Sequence, residues 1–148
     1  MSSDREWQPH KMPTLMIAHL GRLVTRASDE GLRAIGLSTS QLPVLVALKN
    51  GERRTQMELA RLAGVEQPSM AQLLTRMERD GLVRREPSPD DRRSSLLSLT
   101  DMAMERLEPG RSALRAIDDK ARSGFSDEEL ATLSSLVARM AHNIEGSS

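Results

Sequence analysis

The sequence predicts a mainly α-helical protein with one small β-hairpin, and several observations support this prediction. Apolar residues recur at three- and four-residue spacing over most of the chain, which is typical of helices with one buried face. Ser/Thr-x-x-Glu/Gln patterns at 38–41, 55–58 and 126–129 have the spacing of capping boxes that open helices. Two short strand-like runs flank a proline-containing loop at 87–94. Because aromatic residues are only 1% of the chain, the core must consist of Leu, Val, Met and Ala, which suits helix-on-helix packing.

A first long helix is predicted from Thr14 to about Ala34, after an irregular N-terminal arm that contains Trp7. Trp7 has two interpretations: an anchor that packs the arm down, which we favour, or a lid over a ligand or a partner's surface. A second helix is predicted from the capping box at 38–41 to Asn50-Gly51. The apolar stripe of the first helix comprises Met16, Leu20, Leu23, Val24 and Ala27. The core-facing residues of the second are predicted to be Leu42, Leu45, Val46 and Leu48.

The stretch from 55 to 81 has the pattern of two short helices joined by a tight turn. Thr55 opens the first helix, where its hydroxyl is predicted to accept the N–H of Glu58 while the Glu58 carboxylate returns to the Thr55 N–H. The turn is at 64–66, and the second helix is predicted from about Pro68 to Asp80, with Gly81 ending it. The residues predicted to pack from the first helix are Leu59, Ala60, Leu62 and Ala63. This is the helix-turn-helix pattern, whose second helix enters the major groove of DNA.

The second helix of this motif is predicted to be amphipathic. The residues expected to face inward are Met70, Leu73, Leu74 and Met77. The opposite face carries Ser69, Gln72, Thr75, Arg76 and Arg79. Hydroxyls, an amide and guanidiniums suit base edges and phosphates. The alternative is an ordinary surface helix with a solvated polar face.

Two strand-like runs at 82–85 and 95–99 are predicted to form a ribbon around a projecting loop. The prolines at 87 and 89 cannot continue a ladder of hydrogen bonds, and Arg92 and Arg93 make the loop basic. A basic loop beside a helix-turn-helix can reach the DNA backbone or an adjacent minor groove. Thr100 is then predicted to cap a new helix.

The stretch from Thr55 to Asp101 resembles the winged-helix core of the MarR family of bacterial transcription regulators. The residues that carry the resemblance are Leu59-Ala60, Pro68-Ser69, 74–85, and Asp91-Arg92-Arg93 followed by Leu99-Thr100. In helix order and lengths the resemblance extends over nearly the whole chain. It implies that Arg92 and Arg93 are wing arginines, with Asp91 orienting one of them. The family often has Asp at the position of Ser88 and Gly at that of Ala103, so the chain departs from it at the wing tip and at the start of the next helix.

The domain organisation expected from these patterns is a single MarR-like domain over 1–148, with a winged helix-turn-helix DNA-binding core at 38–100 and dimerisation helices at 13–36 and 101–145. The C-terminal part is predicted as a helix over 101–122, kinked at Pro109-Gly110, and a helix behind the capping box at 126–129. That last helix has a coiled-coil-like seam of Leu130, Leu133, Val137, Met140 and Ile144. The small core cannot cover all these stripes, so we expect a homodimer, as the resemblance also implies. Two-fold symmetry then predicts half-sites about 10 bp apart or a multiple of that.

Composition and motifs argue against other chemistries. The 21 basic and 21 acidic residues cancel, which is unlike a nonspecific nucleic-acid coat. There is no cysteine, and the histidines are isolated, so we expect no metal site and no cofactor. We find no P-loop, G-x-G-x-x-G or G-x-S-x-G, and expect no catalytic residues. No apolar run is long enough to span a membrane, and no secretory segment precedes the first helix, so we expect a cytoplasmic protein without membrane partners.

The sequence therefore predicts a sequence-specific, homodimeric regulator of transcription, more a repressor than an activator, whose partner is double-stranded DNA. The candidate DNA-binding residues are Thr55, Gln67, Pro68, Ser69, Gln72, Thr75, Arg76, Arg79, Asp91, Arg92 and Arg93. The resemblance also implies release by a small aromatic carboxylate or phenolic effector, with His19 and Arg22 as candidate ligand-binding residues; a structural histidine and a surface arginine are the interpretation we favour for that pair. The alternative function is a winged-helix protein-docking module that does not bind duplex DNA.

Overall fold

The computed structural model describes residues 7–146, which form six α-helices and three β-strands. The helices are α1 (Pro13–Arg33), α2 (Leu42–Leu48), α3 (Gln56–Ala63), α4 (Gln67–Arg79), α5 (Asp101–Ala121) and α6 (Asp127–Glu145). The strands are β1 (Arg54–Thr55), β2 (Val83–Pro87) and β3 (Ser95–Leu99). The chain divides into two compact units between Leu114 and Arg115, so the last turns of α5 belong with α6. None of the helices within the described range is long and apolar enough to cross a membrane.

The core of the first unit is built from aliphatic side chains of nearly every element. Leu32 of α1, Leu48 of α2 and Leu97 of β3 are all 0% exposed. Each such side chain stabilises the folded state by about 1.5–3 kcal/mol relative to an exposed one. The mainly α-helical fold with a small β-sheet is therefore confirmed, and its core is aliphatic as predicted.

The helical period decides which residues of the short helices are buried. The capping box at Ser38 and Gln41 is confirmed, although it opens a 3-10 turn that leads into α2. Within α2 the buried face contains Val44 and Leu45, whereas Val46 is 59% exposed, so the prediction that Val46 faces the core was wrong. Leu62 of α3 was also wrongly predicted to pack, since it is 58% exposed. In each helix the exposed residue is rotated about the helix axis by roughly 100° or more from the centre of the buried stripe.

The helix-turn-helix is confirmed, with small differences at its ends. The Thr55 hydroxyl accepts the N–H of Glu58 at 3.2 Å, as predicted. The Glu58 carboxylate meets the Thr55 hydroxyl instead of the Thr55 N–H, so only half of the expected capping box forms. Thr55 lies in β1, where its backbone belongs to the sheet. α4 begins at Gln67, one residue earlier than predicted, which makes Pro68 its second residue.

Gly81 ends α4 as predicted. It has a φ of +77°, in the left-handed region where a Cβ is unfavourable. The Leu82 N–H donates to the Met77 carbonyl at 2.8 Å and the Gly81 N–H donates to the Glu78 carbonyl at 3.1 Å. Together these bonds form a Schellman motif, which turns the chain sharply from α4 into β2.

The sheet has three strands where the sequence predicted two. β2 and β3 are antiparallel, with Val83 opposite Leu99 and Pro87 opposite Ser95. β1 pairs with the other edge of β3, so the order is β1-β3-β2. Sequence analysis missed β1 because a two-residue strand has no periodicity to detect.

Thr100 connects the sheet to α5. Its hydroxyl accepts the N–H of Ala103 at 3.2 Å, which confirms the predicted cap. The same hydroxyl donates to the carbonyl of Gly81 at 2.6 Å. α5 continues through Pro109 to Ala121 as one helix. Its predicted kink stays a prediction. Gly110 is buried, and a Cβ there would lie 3.1 Å from Cδ1 of Leu37.

The second unit contains α6, whose start is the third predicted capping box. Ser126 Oγ accepts the N–H of Glu129 at 3.1 Å, and the Ser126 N–H donates to the Glu129 carboxylate at 2.9 Å. The box is therefore complete on both sides, because Ser126 lies in a turn and its N–H is free to donate. This prediction is confirmed.

Candidate nucleic-acid interface

The polar face of α4 is exposed, and its apolar face is buried, with Leu73 only partly buried. Met70, Leu74 and Met77 are each 0% exposed and fix how the helix is turned about its axis. All seven residues predicted for DNA contact on this helix are exposed: Gln67, Pro68, Ser69, Gln72, Thr75, Arg76 and Arg79. A helix held by three buried side chains presents its outer face rigidly, which suits the reading of base edges.

Two of the predicted contact residues already use their hydroxyls within the chain. Thr55 is half-buried, and its hydroxyl caps α3. The Thr75 hydroxyl donates to the Ala71 carbonyl at 2.9 Å, a bond within α4. Each of these oxygens can still accept a hydrogen bond, but neither hydroxyl hydrogen is free for a phosphate.

The first turn of α4 is tied to the start of α3 by a side chain that sequence analysis did not select. Gln56 Nε2 donates to the Gln67 carbonyl at 3.5 Å, a long contact. Gln56 precedes the helix-turn-helix turn by several residues, and only the folded arrangement brings the two helix starts together. The structure therefore adds Gln56 to the candidate interface.

The arginines near α4 and the sheet differ in whether a carboxylate already neutralises them. Four are paired: Arg79 with Asp80 at 3.5 Å, Arg85 with Glu78 at 3.4 Å, Arg53 with Glu86 at 3.3 Å, and Arg54 with Glu52. Four have no carboxylate at ion-pair distance among the described residues: Arg76, Arg84, Arg92 and Arg93. An unpaired guanidinium can bind a phosphate without first breaking an ion pair, so these four carry the accessible positive charge.

Arg84 is a residue that sequence analysis passed over. It is exposed on β2 opposite Ser98. Its neighbour Arg85 is held by Glu78 and also donates to Ser95 Oγ at 3.2 Å. Alternation along a strand could have separated the two, because successive side chains point to opposite faces of the sheet.

The wing tip is held by hydrogen bonds to its own backbone. Asp91 Oδ1 accepts the backbone N–H of Arg93 at 2.9 Å and so supports the backbone of the loop at Arg93. That Asp91 orients an arginine side chain, as the resemblance implied, stays a prediction. The Ser94 N–H donates to the Asp91 carbonyl at 3.2 Å. Ser88 Oγ accepts the N–H of Asp90 at 3.4 Å, the kind of turn contact that a short oxygen-bearing side chain supplies. Arg92 and Arg93 are both exposed on this loop.

His19 and Arg22 lie together in a groove along α1. Both are exposed and line it with Pro9, His10 and Met16. The cleft between α2 and the first part of α5 is a different one, of about 230 Å³, with Lys49 and Arg111 as its charged residues. Its other lining residues are Leu37, Leu42, Leu45, Val46, Leu107, Gly110 and Leu114. Sequence analysis selected none of these lining residues for a ligand, because the walls of the cleft meet only through the packing of α2 and α5.

Trp7 does not anchor the arm against this chain, since 68% of it is exposed. The interpretation that we favoured for it was wrong for the isolated chain.

Within residues 7–146 there is no cluster of three or more His, Cys, Asp or Glu residues that could hold a metal ion.

Comparison with known proteins identifies the core of this structure. Residues 35–94, from just after α1 to the end of the wing loop, match the model of the MarR family. A probable transcriptional regulator from Pseudomonas aeruginosa is similar over 90% of this chain and 99% of its own, with 27% identity and a TM-score of 0.80. Over residues 35–94 the chain is similar to the MarR family. This family consists of winged helix-turn-helix transcription regulators and not of enzymes.

Two other solved structures show how far the fold is shared. A mutant of MarR from E. coli, complexed with operator DNA, has a TM-score of 0.79 and 22% identity over 88% of this chain and 96% of that protein. YusO from Bacillus subtilis has a TM-score of 0.66 and 26% identity over 87% of this chain and 92% of its own. The resemblance inferred from the sequence is therefore confirmed, by the family model over residues 35–94 and by the fold over most of the chain.

Proposed function

We propose that this MarR-like protein is a homodimeric repressor that binds a pseudo-palindromic duplex operator. One observation carries the proposal: the exposed face of α4 and the wing tip present arginines that have no carboxylate partner in the described chain, Arg76 on the helix and Arg92 and Arg93 on the wing. The E. coli structure of the same fold contains operator DNA, which supports the same use here.

In this proposal α4 lies in the major groove. Ser69, Gln72 and Arg76 are on its exposed face, and an Arg can bind guanine, or a Gln adenine, with two hydrogen bonds. Arg92 and Arg93 meet the backbone or the adjacent minor groove, where a narrow A·T-rich tract attracts guanidiniums. The helix would then read sequence, and the wing would supply electrostatic affinity and register.

The homodimer is supported by the apolar faces that each unit leaves exposed. On α1 they comprise Leu15, Met16, Ile17, Leu20, Leu23 and Val24, each between 39% and 52% exposed. On α6 they comprise Leu133, Leu136, Val137 and Ile144, between 40% and 70% exposed. Monomeric proteins rarely expose so many neighbouring aliphatic side chains. We therefore assign 13–36 and 101–145 to dimerisation and 38–100 to DNA binding.

Repression follows from occupancy of the operator by this dimer, and the protein acts in the cytoplasm, where a bacterial operator is. No part of the proposal requires catalysis. The family is one of regulators, which supports a non-enzymatic role.

Release by a small aromatic carboxylate or phenol is the second part of the proposal. The cleft between α2 and α5 supports it, because its walls are aliphatic and Lys49 and Arg111 supply cations for a carboxylate. Arg111 also pairs with Glu108 at 3.3 Å, so Lys49 is the cation without a carboxylate partner in the described chain. His19 and Arg22 remain the candidates from sequence. An effector releases DNA only if it binds more tightly to the arrangement of the two wings that does not fit the operator.

The test is selection from random duplex DNA with the wild type and with an Arg92→Ala/Arg93→Ala variant. We expect the wild type to recover a pseudo-palindrome and the variant to bind it more weakly, because two phosphate or minor-groove contacts are lost. Arg53→Ala is the matched control, since Arg53 is already paired with Glu86. Failure to enrich any sequence at low salt would reject DNA binding and favour the protein-docking alternative.

A further inference from the structure

The winged-helix core has a second apolar groove, which shares Leu42, Val46 and Lys49 with the α2–α5 cleft but opens towards α3. It lies where α2 meets α3 beside the start of β1, and has a volume of about 430 Å³. Its apolar lining, which defines the α2–α3 groove, comprises Leu42, Pro43, Val46, Ala47 and Leu62. No residue of α4 or the wing lines this groove. DNA can therefore be bound while the groove stays open.

Two of the four exposed large apolar residues of the core, Val46 and Leu62, line this groove. Between 38 and 100, the large hydrophobic residues with exposed side chains are Val46, Met57, Leu62 and Val65. All four lie on α2, on α3 or in the turn after α3, and none lies on α4 or the strands. Val46 and Leu62, at 59% and 58% exposed, both line the groove, one from α2 and the other from α3. Folding does not require aliphatic residues at these positions, and grouped exposed apolar residues mark interaction sites.

The charges at the rim of the groove indicate the chemistry of its occupant. Glu52 is neutralised by Arg54, whose NH2 group lies 2.5 Å from the carboxylate. Arg54 also donates to the Ala47 carbonyl at 3.1 Å and is fixed in place. Lys49 is exposed at the same rim and has no carboxylate partner among the described residues. The groove thus offers an aliphatic floor with one free ammonium group, which is complementary to an apolar surface that carries a carboxylate.

We propose that the α2–α3 groove docks an acidic amphipathic helix of another protein. A helix laid into such a groove uses apolar residues at i, i+3 and i+4 or i+7, which is a recurrent mode of recognition. α2 is seven residues long, about 10 Å, so it can contact roughly two turns of a partner helix. The apolar residues of the partner would contact Val46 and Leu62, and an acidic residue would pair with Lys49.

A second copy of the chain fits this groove less well than a different protein does. The proposed dimer, on which this step rests, already closes by two-fold symmetry through α1 and α6. A further contact from the groove to an unrelated surface of another copy would be heterologous and would extend the dimer into larger rings or open filaments. A different protein avoids this outcome, and it would be held close to the operator while α4 and the wing stay bound.

The experiment uses the ¹⁵N-labelled full chain and two synthetic peptides. Both peptides are helical, about three turns long, with Leu at three- and four-residue spacing; one carries Glu and the other Lys on its flanks. We expect the Glu peptide to shift amide resonances of α2 and α3, and to bind more tightly than the Lys peptide. Lys49→Glu should reverse that preference by several-fold, as an exposed ion pair allows.

Matched variants separate the groove from general stickiness. Leu62→Ser should weaken the Glu peptide roughly tenfold or more, because a well-buried aliphatic contact is lost. Met57→Ser is the control, since Met57 is also on α3 and 55% exposed but does not line the groove. Both substitutions are at the surface and should leave the folded chain intact.

Several results would overturn the proposal. These are no binding of either peptide, equal binding by Leu62→Ser and wild type, or resonance shifts confined to α1 or α6. Growth beyond the dimer in sedimentation, abolished by Leu62→Ser, would make a second copy the occupant and overturn it as well. None of these measurements contains DNA, so failure of operator binding and failure of groove docking are separate results.

Discussion

Two helices of the first unit, α4 and α1, use their apolar residues in opposite ways. In α4 the apolar stripe of Met70, Leu74 and Met77 is 0% exposed. In α1 the stripe includes Leu20, 52% exposed, and Val24, 41% exposed. Both stripes have the same helical spacing in the sequence. The difference teaches that an amphipathic pattern shows that a face will be covered, whereas only the packed chain shows whether the cover comes from the same molecule.

The largest expected effect tests whether α1 is covered by a second copy. Leu20→Glu/Val24→Glu should separate the dimer, because each unpaired charge in an apolar interface costs about 3–5 kcal/mol. Sedimentation velocity should show a monomer, while circular dichroism shows that helical content is retained. A Thr25→Glu variant, on the exposed polar side of α1, is the control. A wild type that is already monomeric at the same concentration would contradict the assignment of α1.

The next effect is expected on α4, where the cover is internal. Leu74→Ala should lower the free energy of unfolding by about 2–5 kcal/mol, because it removes buried methyl groups and leaves a cavity. Urea unfolding at fixed protein concentration measures the change, with Met57→Ala as the control, since Met57 is 55% exposed and lies outside the proposed dimerisation helices. Equal losses for the two variants would show that burial within the chain does not determine what an apolar residue contributes to stability.

A smaller effect is expected on the outer face of α4. Arg76→Ala should weaken operator binding by about 1–3 kcal/mol if the guanidinium binds guanine with two hydrogen bonds. If Arg76 contacts only phosphate, the loss should be similar for all sequences and the salt slope should fall by about one. Fluorescence anisotropy against operator and random duplex at several salt concentrations distinguishes these cases. Unchanged affinity for both duplexes would exclude Arg76 from the interface.

The smallest effect is expected at Arg79, one turn further along α4. Because its guanidinium lies 3.5 Å from Asp80, its charge is partly neutralised before DNA binds. Arg79→Ala should therefore cost less than Arg76→Ala, of the order of 1 kcal/mol or below, as for an exposed ion pair. Asp80→Asn should make Arg79 more available and strengthen binding slightly. The reverse order of losses for the two arginines would show that ion pairing in the free chain does not determine which residues bind.

Sequence analysis predicted the parts of this fold whose causes are local. Capping at Ser126, the left-handed Gly81 and the buried stripe of α4 depend on residues within a few positions of one another. Their chemistry is therefore visible in the sequence. The same holds for the polar face of α4, since fixing its buried side fixes the other side as well.

The features that were missed depend on contacts between distant parts of the chain. β1 exists because Arg54 pairs with Leu97, and Val46 is exposed because Val44 takes the inward place on α2. The sequence could predict which residue types form the interface, but not which of its arginines are already paired with a carboxylate. The pairing of Arg53 with Glu86, which separates it from the unpaired Arg92, requires the folded sheet. Local periodicity contains no information about such partners.

The Thr100 hydroxyl has a mechanical consequence. It binds the Gly81 carbonyl, where α4 ends, and caps the first turn of α5 through the Ala103 N–H. This one hydroxyl thus connects the end of α4 to the start of α5. The two helices cannot separate at this point without breaking one of these hydrogen bonds. A displacement of α4 when it binds in the major groove of DNA would therefore also move the first turn of α5. Thr100→Val keeps the shape of the side chain but removes both hydrogen bonds.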